Sequence, residues 1–290
     1  MAELLEREEP LAQLAAIRAG GGRLVFVGGE AGVGKTALVR AFAMRESSPV
    51  LHGSCENLTT ATPLGPFADV AAQTGGGLAE AIAAHAGPRD VALRLLELLS
   101  TGPLVVLEDL HWADQATLDV LHVLGRRIDS TPALVLATYR NDEVTGDHPL
   151  RVVLGELASA PGVVRLPVPP LSLDAVRELA EPHDVDGDAI HRLTRGNAFY
   201  VTEILAAGGG KLPETVRDAV LARVAFLDEP ARRLLEAIAV VPARAELWLL
   251  ERVVPQELER LEACLESGVV RADRDGVAFR HELARIAVES

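Results

Sequence analysis

The chain has 290 residues, 49% of them apolar but only 3% aromatic, and a formal net charge of −14. That size and apolar content describe a folded chain of two or three domains with a core of Ala, Leu and Val. The acidic balance argues against a free-standing nucleic-acid binder, which is normally basic. No apolar run approaches the roughly 20 residues of a membrane span. The acidic Met1–Glu6 start lacks a secretory pattern, so a cytoplasmic, membrane-free protein is expected.

Leu4, Leu11, Leu14 and Ile17 fall on one face and predict a helix over residues 4–18, ended by Gly20–Gly22. Leu24–Val27 reads as a buried strand and Pro49–Gly53 as a second one. The polar stretch Cys55–Phe67, with Pro63 and Pro66, reads as a loop. Two helical patterns follow, punctuated near Gly75–Gly77 and Gly87–Pro88. Leu104–Leu107 and Ala133–Ala137 are unbroken apolar runs, as strands buried on both faces require, and Val163–Leu166 is a shorter one. Between them, Asp114 is placed to cap a helix carrying Leu118, Leu121 and Leu124. Strands alternating with helices predict an α/β parallel sheet. From Leu171 the pattern is mainly helical, with a joint at Gly208–Gly210 and helices near 230–240, 245–253 and 255–267. Residues 269–272 and 277–279 then alternate around Asp273–Gly276, a hairpin that suggests a winged helix.

Gly29-Glu30-Ala31-Gly32-Val33-Gly34-Lys35-Thr36 fits G-x-x-x-x-G-K-[ST] between a strand and a helix, the context that gives a P-loop its meaning. Its glycines let successive N–H groups face phosphate oxygens, and the helix N-terminus adds positive charge. Lys35 reaches the β- and γ-phosphates, and the Thr36 hydroxyl can hold Mg²⁺. Glu108 and Asp109, directly after the next apolar strand, suit Mg²⁺ binding and activation of water. Glu108 is assigned to the metal and Asp109 to the base, with the reverse order open. Cys55 and Cys264 form no CxxC pair, and the histidines show no metal-ligand spacing. His111 reads as structural, Trp112 as a core aromatic or a site residue, and Arg140 as ligand-facing because it ends a strand.

Leu107-Glu108-Asp109-Leu110-His111-Trp112-Ala113-Asp114 resembles the Walker B segment of STAND-class ATPases, in particular the large ATP-binding LuxR-type (MalT-like) transcriptional regulators. Leu5–Glu8 resembles their N-terminal segment near the adenine, and Ala137–Arg140 their sensor strand, whose Arg reads the γ-phosphate. Leu193–Tyr200 resembles their Gly-Asn-Pro-Phe segment, and Phe279–Leu283 the winged-helix His-Asp motif. There are departures: Ala198 replaces the proline expected on the adenine ring, Glu282 an Asp, and Glu108 an Asp.

The resemblance implies a P-loop NTPase sheet of order 5-1-4-3-2 with helices on both faces, in which the Lys35 and Glu108 strands flank the sensor strand. A small helical domain and a winged helix follow, with domains at 1–168, 169–227 and 228–290. It implies ATP or ADP with Mg²⁺ as cofactors. Arg7, Gly29, Gly32, Val33, Gly34, Lys35, Thr36, Ala37, Arg140, Ala198 and His281 would bind the nucleotide. Lys35, Glu108 and Asp109 would carry slow hydrolysis, with Thr36 and Glu108 on the metal. His281 would sense the β-phosphate, or else merely cap the last helix. The expected function is a nucleotide-driven switch that regulates transcription, opened by an inducer, self-associating with ATP and not itself binding DNA. A plain ATPase or phosphotransferase, or a scaffold without turnover, are the alternatives. Ser290 falls inside a helical pattern, so the sequence is either part of a longer chain or a short relative without an output domain.

Overall fold

The computed structural model describes residues 4–57, 62–208, 213–274 and 276–289. They form two compact units, Met1–Pro169 and Pro170–Ser290. Part of the expected loop (58–61), Gly209 and Gly210 of the expected joint, and Asp275 of the hairpin tip lie outside the described residues.

In the first unit, α1 (Glu8–Ala19) leads to β1 (Arg23–Gly29), α2 (Lys35–Ala43) and β2 (Val50–Ser54). Then come α3 (Gly65–Thr74), α4 (Gly76–Ala83), α5 (Pro88–Leu99) and β3 (Leu104–Glu108). The unit closes with α6 (Gln115–Gly125), β4 (Leu134–Arg140), α7 (Pro149–Glu156) and β5 (Val163–Pro167). The strands form one five-stranded sheet of order β2-β3-β4-β1-β5, all pairs parallel. This is the expected 5-1-4-3-2 order, with β4 between β1 and β3.

Alternation along the strands makes two cores, because successive side chains leave opposite faces of a sheet. Val25 and Val27 of β1 pack with Leu11, Leu14, Leu38 and Phe42 of α1 and α2. Leu24 and Phe26 pack on the other side with Phe67, Leu95, Leu121 and Leu150 from the helices between β2 and β5. Asp114 caps α6 as its sequence predicts, accepting from the N–H groups of Ala116 and Thr117.

Local conformation corrects several sequence boundaries. The first helix starts at Glu8, so Leu4 is outside it. The loop expected through Phe67 ends at Gly65, because Pro66 occupies the first turn of α3, where its missing N–H costs nothing. Three helices fill 65–99 where two patterns were read, since Gly75 and Gly76 both take φ +65° and interrupt the first. Helix α7 was not predicted; it is short and opens on Pro149.

In the second unit, α8 (Leu173–Ala180), α9 (Gly187–Thr194), α10 (Ala198–Ala206) and α11 (Glu214–Val224) precede α12 (Glu229–Ala239). Next are β6 (Ala245–Glu246), α13 (Leu247–Val253) and α14 (Leu261–Glu266), then β7 (Val270–Asp273), β8 (Gly276–Phe279) and α15 (Glu282–Glu289). The helix expected over 245–253 starts two residues late, because Ala245 and Glu246 pair with β8. The one expected over 255–267 divides into a 3₁₀ turn, Glu257–Arg260, and α14. The expected hairpin is present, with Val270 opposite Phe279 and Ala272 opposite Val277.

Candidate nucleotide site

The C-terminal ends of β1, β3 and β4 carry the residues of interest, as open α/β sheets favour. β1 ends on Gly29, and the chain turns through Gly32 (φ +77°) and Gly34 (φ +104°) into α2. Left-handed backbone at these positions suits glycine. Gly29 is needed for a second reason. A Cβ there would stand 2.8 Å from the Val168 carbonyl oxygen and 2.8 Å from Val33 Cγ1.

Lys35 is the first residue of α2 and is buried. Its Nζ donates to the carbonyl oxygens of Gly29 at 2.8 Å and Glu30 at 2.9 Å, so the ammonium lies across the loop. Burial lowers its pKa from the ordinary 10.5 to about 8; Asp142, Asp109 and Glu143 oppose that shift and Arg140 adds to it. Thr36 is half-buried and Ala37 exposed in the first turn of α2. Val33 is buried, and its carbonyl accepts from Arg7 Nη2 at 3.0 Å. The same nitrogen donates to the Pro169 carbonyl at 3.0 Å, so Arg7 ties the loop to the segment after β5. Burial lowers the Arg7 pKa.

Across the sheet, Glu108 closes β3 half-buried. Asp109 follows in the left-handed region (φ +58°, ψ +44°), a conformation open to Asp because its short polar side chain can bond locally. Its backbone N–H donates to Thr138 Oγ1 at 3.1 Å, which links β3 to β4. Burial raises the Asp109 pKa, opposed first by Arg140 and later by Lys35. Arg140, the last residue of β4, donates from Nη1 to Glu143 Oε1 at 2.6 Å and lies 4.9 Å from the Trp112 ring centroid. Lys35, Asp109 and Arg140 therefore share one electrostatic neighbourhood.

The sequence reading missed Asp142 and Glu143. The only signal was their acidic character directly after β4, which many solvated loops share. It left Trp112 undecided; the structure sets its ring under Arg140 and beside His111, at 4.4 Å between centroids.

Ala198 and His281 belong to the second unit. Arg195 (φ +51°) and Gly196 (φ +76°) end α9, and a Cβ on Gly196 would stand 2.0 Å from the Leu171 carbonyl. The Asn197 side chain caps α10, whose first residue is the half-buried Ala198. His281 is buried between β8 and α15, its ring edge-on to Tyr200 at 5.1 Å, and its carbonyl accepts the Ala284 N–H.

Residues 3–136 match the family model of the AAA ATPase domain. Among solved structures, the Walker-type ATPase of Pyrococcus abyssi is similar at TM-score 0.70 and 16% identity, over 99% of this chain and 96% of that one. The ORC2 protein of Aeropyrum pernix, solved as ADPNP–ADP complexes, gives 0.60 and 16%, over 99% and 93%. A Signal Transduction ATPase with Numerous Domains from Pyrococcus horikoshii, with a tetratricopeptide repeat sensor, gives 0.51 and 15%. There the likeness covers all of this chain and 43% of that one. No curated protein is significantly similar in sequence. At these identities the structural likeness is one of fold. That fold is the P-loop NTPase-like parallel sheet with its flanking helices, and the part that matches the AAA ATPase domain is residues 3–136. No helix among the described residues is long and apolar enough to cross a membrane.

Proposed function

We propose that this chain is the ATP/ADP switch module of a LuxR-type transcriptional regulator. The observation that carries the nucleotide part is the desolvated Lys35 ammonium, laid across a loop whose glycines leave backbone N–H groups for phosphate oxygens. A buried cation that donates to the Gly29 and Glu30 carbonyls is a good match for a phosphate group. Bound ATP supplies the phosphoanhydride bond, and Mg²⁺ neutralises the charge on it. Gly29, Gly32, Val33, Gly34, Lys35, Thr36 and Ala37 form the phosphate loop, and Arg7 fixes its Val33 carbonyl. Thr36 and Glu108 hold the metal, Asp109 accepts the proton of the attacking water, and Arg140 reads the γ-phosphate. The raised Asp109 pKa suits a base at the edge of a partly desolvated site.

The regulatory part rests on the His-Trp-Ala-Asp continuation of β3 and on the second unit. We treat residues 169–227 as a helical domain with Ala198 toward the adenine, and 228–290 as a winged helix with His281 as β-phosphate sensor. Hydrolysis is slow, an inducer promotes exchange of ADP for ATP, and the ATP form self-associates; DNA contact belongs to other parts of the regulator. Losing one hydrogen bond to a charged phosphate costs about 1.5–3 kcal/mol, so His281→Ala should speed ADP release at least tenfold. Stopped-flow release of a fluorescent ADP analogue measures it. Equal rates with a lower melting temperature would make His281 structural, as its edge-on contact with Tyr200 permits.

A further inference from the structure

The Arg140 guanidinium is held from two sides, by Glu143 Oε1 at 2.6 Å and by the face of Trp112 at 4.9 Å. The other Glu143 oxygen lies 3.4 Å from Nε2 of His111, and Nδ1 of His111 lies 3.9 Å from Asp109 Oδ1. The His111 side chain is wholly buried, and its carbonyl oxygen lies 3.1 Å from His148 Nε2. Glu143 therefore engages Arg140 with one oxygen while the other lies beside a buried ring. Arg140 is close enough for its charge to act on both Asp109 and Lys35.

We propose that Glu143 is a positioning residue that parks Arg140 against Trp112, so that a γ-phosphate must compete with it for the guanidinium. This rests on reading the chain as an ATP/ADP switch. A carboxylate and a phosphate oxygen address the same planar fork of N–H donors. ATP binding has to draw Arg140 from Glu143, whereas ADP has no γ-phosphoryl group and leaves the pair intact. A cost borne by one ligand and not the other shifts the balance between them. Glu143 thus biases the chain toward the diphosphate and sets how much ATP is needed to turn the switch. His111 lies between the parked carboxylate and Asp109, 3.4 Å from the one and 3.9 Å from the other.

The test is calorimetric titration of the chain with ADP and with a non-hydrolysable ATP analogue, for the parent, Glu143→Gln, Arg140→Ala and the double variant. Glu143→Gln keeps the shape and removes the charge. It should raise the preference for the triphosphate by about three- to tenfold, nearly all of it in the ATP-analogue affinity. In the Arg140→Ala background the same change should do nothing, because the parked group is gone. An unchanged preference in a Glu143→Gln variant, whatever its melting temperature, overturns the proposal, as does an equal gain without Arg140. Absence of Lys35-dependent nucleotide binding in the parent sinks the switch reading and this inference together. Intact binding with no Glu143 effect sinks only the parking role.

Discussion

Around Lys35 the chain presents a ligand with backbone groups fixed by local conformation; around Asp109 and Arg140 it presents side chains fixed by one another. The loop side depends on left-handed glycines and a helix start, all within a few consecutive residues. The acidic side draws Asp109, His111 and Trp112 from the segment between β3 and α6, Arg140 from the end of β4 and Glu143 from the segment just after it. The switch we propose, with slow hydrolysis, draws on this division. The binding half is preorganised, whereas the chemical half contains ion pairs that must rearrange.

The sharpest way to break this contrast is Asp109→Asn, which keeps the shape but cannot accept a proton. Turnover should fall by about a hundredfold or more while ATP affinity is nearly unchanged; steady-state phosphate release and a binding titration read the two halves separately. If turnover survives, the base lies elsewhere and Glu108 is the next candidate. Lys35→Ala strikes the other half. Affinity should drop by about tenfold or more, near 1.4 kcal/mol, in a titration with a fluorescent ATP analogue. Unchanged affinity in a folded variant would remove the loop from the site.

Gly34→Ala probes local conformation without touching charge. A Cβ at φ +104° should cost about 1–2 kcal/mol in denaturant unfolding. No loss of stability would mean the turn can relax, and the loop would then not be preorganised.

The smallest effect is a proton count. Because burial holds Lys35 at about 8 in the folded chain against 10.5 when exposed, the folded chain binds fewer protons than the unfolded one between those values. Its burial penalty is full below pH 8 and is relieved as pH rises from 8 to 10.5. A bound phosphate favours the charged form, so nucleotide binding at pH 8 should take up roughly half a proton, and affinity should weaken above that pH. Titration calorimetry in buffers of different ionisation enthalpy measures the uptake. An uptake near zero that Lys35→Arg does not alter would show that Lys35 is already fully charged.

The sequence by itself determined the parallel sheet, the strand that leads into the phosphate loop, the Asp114 cap and the hairpin near the C-terminus. Each is written in neighbouring residues, as a run of apolar side chains, a glycine spacing or a capping oxygen, and β1 takes the buried conformation that Leu24–Val27 predicts. The strand order was legible only through resemblance, because no local pattern says which strand lies beside which. Tertiary structure alone decided that Thr138 would receive the Asp109 N–H, that Arg7 would hold the Val33 carbonyl, and that Trp112 would lie under Arg140. It also made Glu143 a partner of His111, 32 positions away in sequence. Those pairings arise where separate strands end side by side, so their energies belong to the folded sheet and leave no periodicity in the chain that forms it.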